Sequence, residues 1–133
     1  MPALTADRNT PRRDGVDYVD PVAAGAVIYA GALVALNAAG YLVPGSTATG
    51  LIARGVAQES ADNSAGADGA ISVPVMSGAF RMANDGSVGR ADIGGTAYIV
   101  DDQTVANNDA TGTRSAAGTI KDVDSAGVWV SIG

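Results

Sequence analysis

The chain contains no cysteine and no histidine. Without cysteine there is no disulfide to staple the fold and no thiolate to hold a metal or attack a substrate. Without histidine, a zinc site loses its commonest ligand, and the side chain that moves protons near neutral pH is missing. Cations are scarce as well: eight Lys and Arg stand against fourteen acids, for a formal charge of -6, and thirteen of those acids are Asp. Phosphate binding is driven by Lys and Arg releasing counterions, so nucleic acid is not an expected partner. Long apolar runs are also lacking. The longest, Val22 to Leu36, falls short of a bilayer span and is interrupted by Gly25 and Gly31, so no membrane contact is predicted. The N-terminal MPALTADRNTPRRDG has no apolar stretch of the kind a secretory signal needs, which predicts synthesis in the cytoplasm.

What the chain does have is small residues. Of its 133 residues 47% are hydrophobic, but much of that is alanine; Gly reaches 18, and there are only one Phe, one Trp and four Tyr. The length suits one domain. Small side chains bury little area each, at about 25 cal/mol per Å², so the core is expected to be thin and to gain from burial against further copies of the chain.

Residues 1–21 read as an extended N-terminal arm. Arg8, Arg12 and Arg13 alternate with Asp7, Asp14, Asp17 and Asp20, and Pro2, Pro11 and Pro21 disfavour helix at and before each proline. The same features fit a solvated tail and an arm that reaches an acidic partner surface. Residues 22–133 read as a single β-rich domain, in which short apolar runs are separated by Gly, Asn, Asp and Ser clusters. The fold class predicted is all-β, a small β-barrel or β-sandwich of short antiparallel strands.

Its densest apolar segment is Gly31 to Gly45. Leu33, Val34 and Leu36 enter a turn at Asn37-Ala38-Ala39-Gly40, and Tyr41 to Val43 return until Pro44, which cannot donate to a ladder. Further strands are predicted at 26–29, 52–57, 70–76, 79–83, 97–100, 118–123 and 128–132. Ile71, Val73 and Val75 alternate with polar positions, as do Val128, Val130 and Ile132, so each run predicts one buried face. Met76 to Ala79 predicts a tight turn and a second hairpin, and Asp124 to Gly127 the turn of a last one. Gln58 to Gly69 reads as a loop, and Asp101 to Arg114 as a long, polar, mostly exposed one of the kind that is often functional.

No catalytic arrangement emerges. Ser with the single Lys121, or a pair of Asp residues, would have to act, and neither an activated-serine motif nor a phosphate-cradling glycine loop is present. Asp122-x-Asp124-x-x-Gly127 begins like a calcium loop, as do Asp101 and Asp102 with Asp109, but the remaining ligands are absent and turn chemistry alone selects Asp and Gly there. No enzyme, cofactor or metal is predicted. Trp129, in the last strand, reads as a core or subunit-interface anchor. The arginines at 54, 81, 90 and 114 are spread along the chain and are expected to be solvated or paired with Asp.

Taken in order, LTADRNTPRRDG, PVAAGAVIYAGALVALNAAGYLVPG, RGVAQESADN, GTAYIVDDQTVA and AGTIKDVDSAGVWVSI resemble the capsid cement, or decoration, proteins of tailed phages and prophages, across nearly the whole chain. The resemblance implies a structural virion protein on the outer surface of the expanded head, bridging neighbouring major capsid proteins against the pressure of packaged DNA. It implies homotrimers at three-fold and quasi-three-fold positions, and an arm whose Arg8, Thr10, Pro11, Arg12 and Arg13 lie along the capsid. The alternative is a head-fibre or adhesion module presenting its 101–114 loop to a host glycan or receptor.

Overall fold

The structure is a computed structural model and describes residues 3–8 and 17–133. Its strands, in chain order, are β1 (Asp17–Pro21), β2 (Val27–Ile28), β3 (Leu33–Leu36), β4 (Leu42–Pro44), β5 (Ile52–Ala57), β6 (Ala61–Asp62) and β7 (Ser72–Met76) in the first half. The second half holds β8 (Gly78–Asn84), a 3-10 turn (Arg90–Asp92), β9 (Thr96–Ile99), β10 (Thr104–Ala106), β11 (Ala116–Asp124) and β12 (Gly127–Ile132). The first half forms an open sheet in the order β1-β7-β5-β3-β4, with β2 and β6 as a separate ribbon. The second half closes into a five-stranded barrel, β10-β8-β12-β11-β9. The all-β prediction holds, and the barrel alternative is realised in the second half of the chain.

Strand β3 joins the two halves. Its sequence, LVAL, is apolar at every position, which suits a strand buried on both faces. Leu33 and Ala35 belong to one buried cluster, together with Ile99, Val105, Ile120, Val130 and Ile132 of the barrel. Val34 points the other way, into a second cluster with Val22, Ile28, Leu42, Val73 and Val75. The predicted hairpin of β3 and β4 is present, pairing Val34 with Pro44 and Leu36 with Leu42. Its turn is fastened by Asn37, whose Oδ1 accepts from the amides of Ala39 and Tyr41, both at 3.0 Å, while Gly40 takes φ +86°, a conformation costly for other residues. Gly45 is required by space: a Cβ there would come within 2.8 Å of the Leu33 side chain and 3.1 Å of the Asp101 carbonyl.

Three expectations are corrected. The predicted hairpin across Met76–Ala79 does not form: β7 pairs with β1 and β5, whereas β8 pairs with β12 and β10. Ser77 carries the chain from the sheet into the barrel, because the apolar residues of β7 fill one core and Met82 of β8 fills the other. Within the supposed polar loop at 101–114, Thr104–Ala106 is a strand with Val105 and Ala106 buried. It closes the barrel, antiparallel to β9 and parallel to β8. Three residues are too few to show a period against polar flanks. The Gln58–Gly69 segment includes β6, and the buried Asn63 Nδ2 donates to the carbonyls of Val22, Ala23 and Ala67, so the amide's own donors are satisfied by the surrounding backbone.

The predicted arm, 1–21, ends in β1, which runs antiparallel to β7 from Asp17↔Met76 to Pro21↔Ser72. An ion pair ties this strand to β5, although β7 lies between them. The register of β5 against β3 skips at Arg54, between the pairs Val34↔Gly55 and Ala35↔Ala53, so Arg54 is the extra residue of a bulge, a device that re-aims a side chain. Its Nε and Nη2 donate to the two oxygens of Asp20 at 2.7 and 3.1 Å, and its Cζ lies 3.6 Å from the centre of the Tyr18 ring. Hydrogen bonding to Asp20 chiefly raises the Arg54 pKa. This fork-on-fork pairing is the strong form of the interaction, and of the two outcomes expected for the arginines, solvation or pairing with Asp, Arg54 takes the second. Replacing Asp20 by Ala leaves a half-sheltered guanidinium without its counter-charge. The unfolding free energy should fall by about 1–2 kcal/mol, measured by denaturant titration; an unchanged midpoint would mean that ladder hydrogen bonds alone hold β1.

Candidate interaction surfaces

Of the arm residues singled out in the sequence, Arg8 is exposed, and Thr10, Pro11, Arg12 and Arg13 lie outside the described residues. Trp129 lies in β12. Alternation along β12 sends Val128, Val130 and Ile132 into the barrel and leaves Trp129 outside, 36% exposed. A place in the core is therefore excluded for it. Its indole Nε1 donates to Asp124 Oδ2 at 3.2 Å, which fixes the orientation of the ring.

The strands beside Trp129 complete a row. Arg81 of β8 is its cross-strand partner on one side and Asp122 of β11 its partner on the other. Beyond Asp122 lies Arg90, whose Nη1 is 3.6 Å from Asp122 Oδ1 with both side chains largely exposed. Arg81 and Arg90 thus lie on one face of the barrel, where the exposed Lys121 is the extra residue of the β11 bulge beside Asp122. Sequence alone could mark Arg81 and Trp129 as outward-facing in their strands, but the strand order that makes them neighbours is a property of the barrel.

Asp124 has a local role. Its Oδ1 accepts from the amides of Ala126 at 2.8 Å and Gly127 at 3.0 Å, closing the β11–β12 turn as turn chemistry predicts. Its pKa is held below the usual carboxylate value, first by the Ala126 amide, then by the Trp129 indole, with smaller help from Gly127 and the charge of Arg81. Asp101 is similarly occupied, accepting from the Gln103 amide at 2.9 Å. Among the described residues no three carboxylates converge as a metal site would require.

The 101–114 segment after β10 is pinned at its base and strained at its tip. Asn107 Nδ2 donates to the Ser87 carbonyl at 2.8 Å, and the Asp109 carbonyl accepts from the amides of Thr113 and Arg114. Ala110, Thr111 and Gly112 then take φ of 51°, 62° and 79°. A β-branched residue in this region is unusual, and backbone strain of this kind gathers at functional positions.

A groove of about 430 Å³ between β5 and β11 is lined by Leu51, Ile52, alanine and glycine residues and the hydroxyls of Thr119 and Ser131, with no ionisable side chain. At the sheet edge, β1 leaves Val19 69% exposed, yet Asp17, Asp20 and Pro21 are residues that discourage the addition of a further strand. Among the described residues no helix is long and apolar enough to cross a membrane. Comparison of the chain with family models, with curated proteins and with solved structures finds no match.

Two outcomes follow from the turn and the loop. Because the Asp124 pKa is depressed in the folded chain, its contribution to stability is present above the ordinary carboxylate pKa and is lost as pH falls through the lowered value. Acid titration followed by fluorescence of Trp129, the only tryptophan, should show a step below the usual Asp range. That step should be missing from Asp124→Asn; its persistence there would assign it to another group. Thr111→Gly relieves left-handed strain in a β-branched residue and should raise stability by about 1 kcal/mol, net of the entropy glycine adds to the unfolded chain. Thermal unfolding reads this directly, and a lower melting temperature would show that Thr111 makes compensating contacts.

Proposed function

We propose that this chain is a capsid cement protein, which binds the outside of an expanded phage head and bridges neighbouring major capsid proteins. The observation that carries the reading is the ordered set of sequence segments from LTADRNTPRRDG to AGTIKDVDSAGVWVSI. Supporting it is the all-β fold, a small barrel and an open sheet, which is the fold class the resemblance leads one to expect. In this role Arg8, Thr10, Pro11, Arg12 and Arg13 lie along the capsid surface and order on docking. Copies are brought together in threes at three-fold and quasi-three-fold positions of the shell. Each contact is weak and is repeated by symmetry, so multivalency supplies the holding power. A partner that forms only after expansion prevents premature attachment.

One feature favours a second reading, an adhesion module: the strained tip at Ala110–Thr111, where Thr111 is exposed. Against it stands the scarcity of aromatics, which glycan-binding surfaces use for stacking. The test is co-sedimentation of the purified chain with heads assembled from the major capsid protein encoded beside it, before and after expansion. Binding to expanded heads alone is expected, together with greater resistance of those heads to heat. Replacing Arg12 and Arg13 by Ala should weaken binding, more so at low salt than at high. No binding to expanded heads, combined with clear hits on a glycan array, would replace the cement reading with adhesion.

A further inference from the structure

We infer that the uncharged N-terminal segment 3–6 of one copy of this chain lies as an extended strand in the groove between β5 and β11 of a second copy. The inference stands on the described residues of the segment and the groove and does not rest on the capsid reading. The segment reads Ala-Leu-Thr-Ala, and residues 3–8 are exposed throughout. Leu4 is 73% exposed, the highest value among the exposed large hydrophobic residues described. Val19 and Tyr29 come next, but they are built into the body of the domain, whereas a strand in a groove must come from a free segment.

The groove matches the segment in chemistry. No ionisable side chain lines its roughly 430 Å³, and Ile52, 65% exposed, stands open at its β5 rim. A charge laid there would lose water and find no counter-charge. Residues 3–6 carry none, and the charged run of the arm begins after them, at Asp7 and Arg8. Covering Leu4 and Ile52 together removes apolar surface of both from water.

The backbone around the groove also suits a strand. β12 pairs with β11 only from Gly118 onward, and β7 reaches β5 only at Val56 and Ala57. Ala116 and Ala117 on one rim, and Ile52 and Ala53 on the other, therefore have no strand neighbour on one side. A strand laid between these rims finds ladder groups to bond, and its alternation sends Leu4 and Ala6 to one face, with Ala3 and Thr5 to the other.

The donor is a second copy. Asp17 pairs with Met76, and Gly133 of the groove packs so closely on Ser77 that a Cβ there would come within 2.6 Å of its side chain. The arm thus joins the sheet near the end of the groove, and ten residues, 7–16, separate the segment from β1. Fully extended they span about 35 Å, which reaches the groove of a copy packed alongside. Within one chain Leu4 stands exposed, so its cover comes from another. Segments given and received in turn close the assembly with each groove filled.

The experiment exploits the absence of cysteine from the chain. Ala6→Cys in one preparation and Ala116→Cys in a second, isotopically labelled one place single thiols on the segment and on the groove rim, and circular dichroism checks that each keeps its β-sheet spectrum. Mixed in equal amounts with a short bis-maleimide, they should give a linked mixed dimer, identified by mass. It should form about tenfold or more faster than the product of Ala6→Cys with Ser125→Cys, whose thiol sits in the exposed turn at the far end of the β11–β12 hairpin. Adding Leu4→Asp to the segment, or Ile52→Asp to the groove, should return the rate to that of the Ser125→Cys control, because an unpaired carboxylate is then brought into the groove. The inference is overturned by a mixed dimer that forms no faster than the control, and by a chain carrying both thiols that links only within itself at every concentration.

Discussion

The structure depends on the burial of β3 on both of its faces. Leu33 and Ala35 look into the barrel-side core, and Val34 looks into the core shared with β7 and the β2 region. A chain with one Phe and one Trp has few large side chains with which to build two cores, so the aliphatic residues of one short strand serve both. Fully burying such a side chain contributes about 1.5–3 kcal/mol. The hairpin turn at Asn37–Gly40 and the close approach at Gly45 hold β3 at the junction. The amide of Leu33 donates to the Asp102 carbonyl at 2.8 Å, linking the seam to the segment that leads into the closing strand of the barrel.

From that seam the two halves take different forms. The sheet side ends in β1, an edge strand fastened by the Arg54–Asp20 pair with Tyr18 packed beneath the guanidinium. The barrel side has no open edge, because the short strand β10 joins β8 to β9. Each half leaves a surface with its own character: a blunted sheet edge carrying acids and proline, and a barrel face on which cation, tryptophan and anion lie in a row. On the barrel face the tryptophan is held by its hydrogen bond to Asp124, with Arg81 on the strand beside it.

The legible parts of the fold were those governed by local rules. LVALNAAGYLVPG announces its hairpin because Asn and Gly meet the conformational needs of the turn within a few residues. Val128, Val130 and Ile132 announce their buried face through a period of two, and Trp129 its outward direction through the same period. The illegible parts were those governed by partners far along the chain. Asp17–Pro21 reads as arm because its acids and proline suggest solvent, and only Arg54, 34 residues away from Asp20, makes a sheltered carboxylate tolerable. Thr104–Ala106 reads as loop because its neighbours are polar. Met76–Ala79 reads as a turn between paired strands, and no local signal tells a hairpin from a crossing between two cores.

The sequence by itself determined the class of the fold, most of its strands, the buried faces of the runs 71–75 and 128–132, and the absence of cysteine and histidine chemistry. These follow from composition and from periods only a few residues long. The tertiary structure alone decided that the strands divide into an open sheet and a closed barrel, that β3 is shared between two cores, and that Arg81, Trp129 and Asp122 stand side by side. Strand order is set by which apolar faces can be covered together. That is a property of the assembled layers, and no single stretch of the chain contains it.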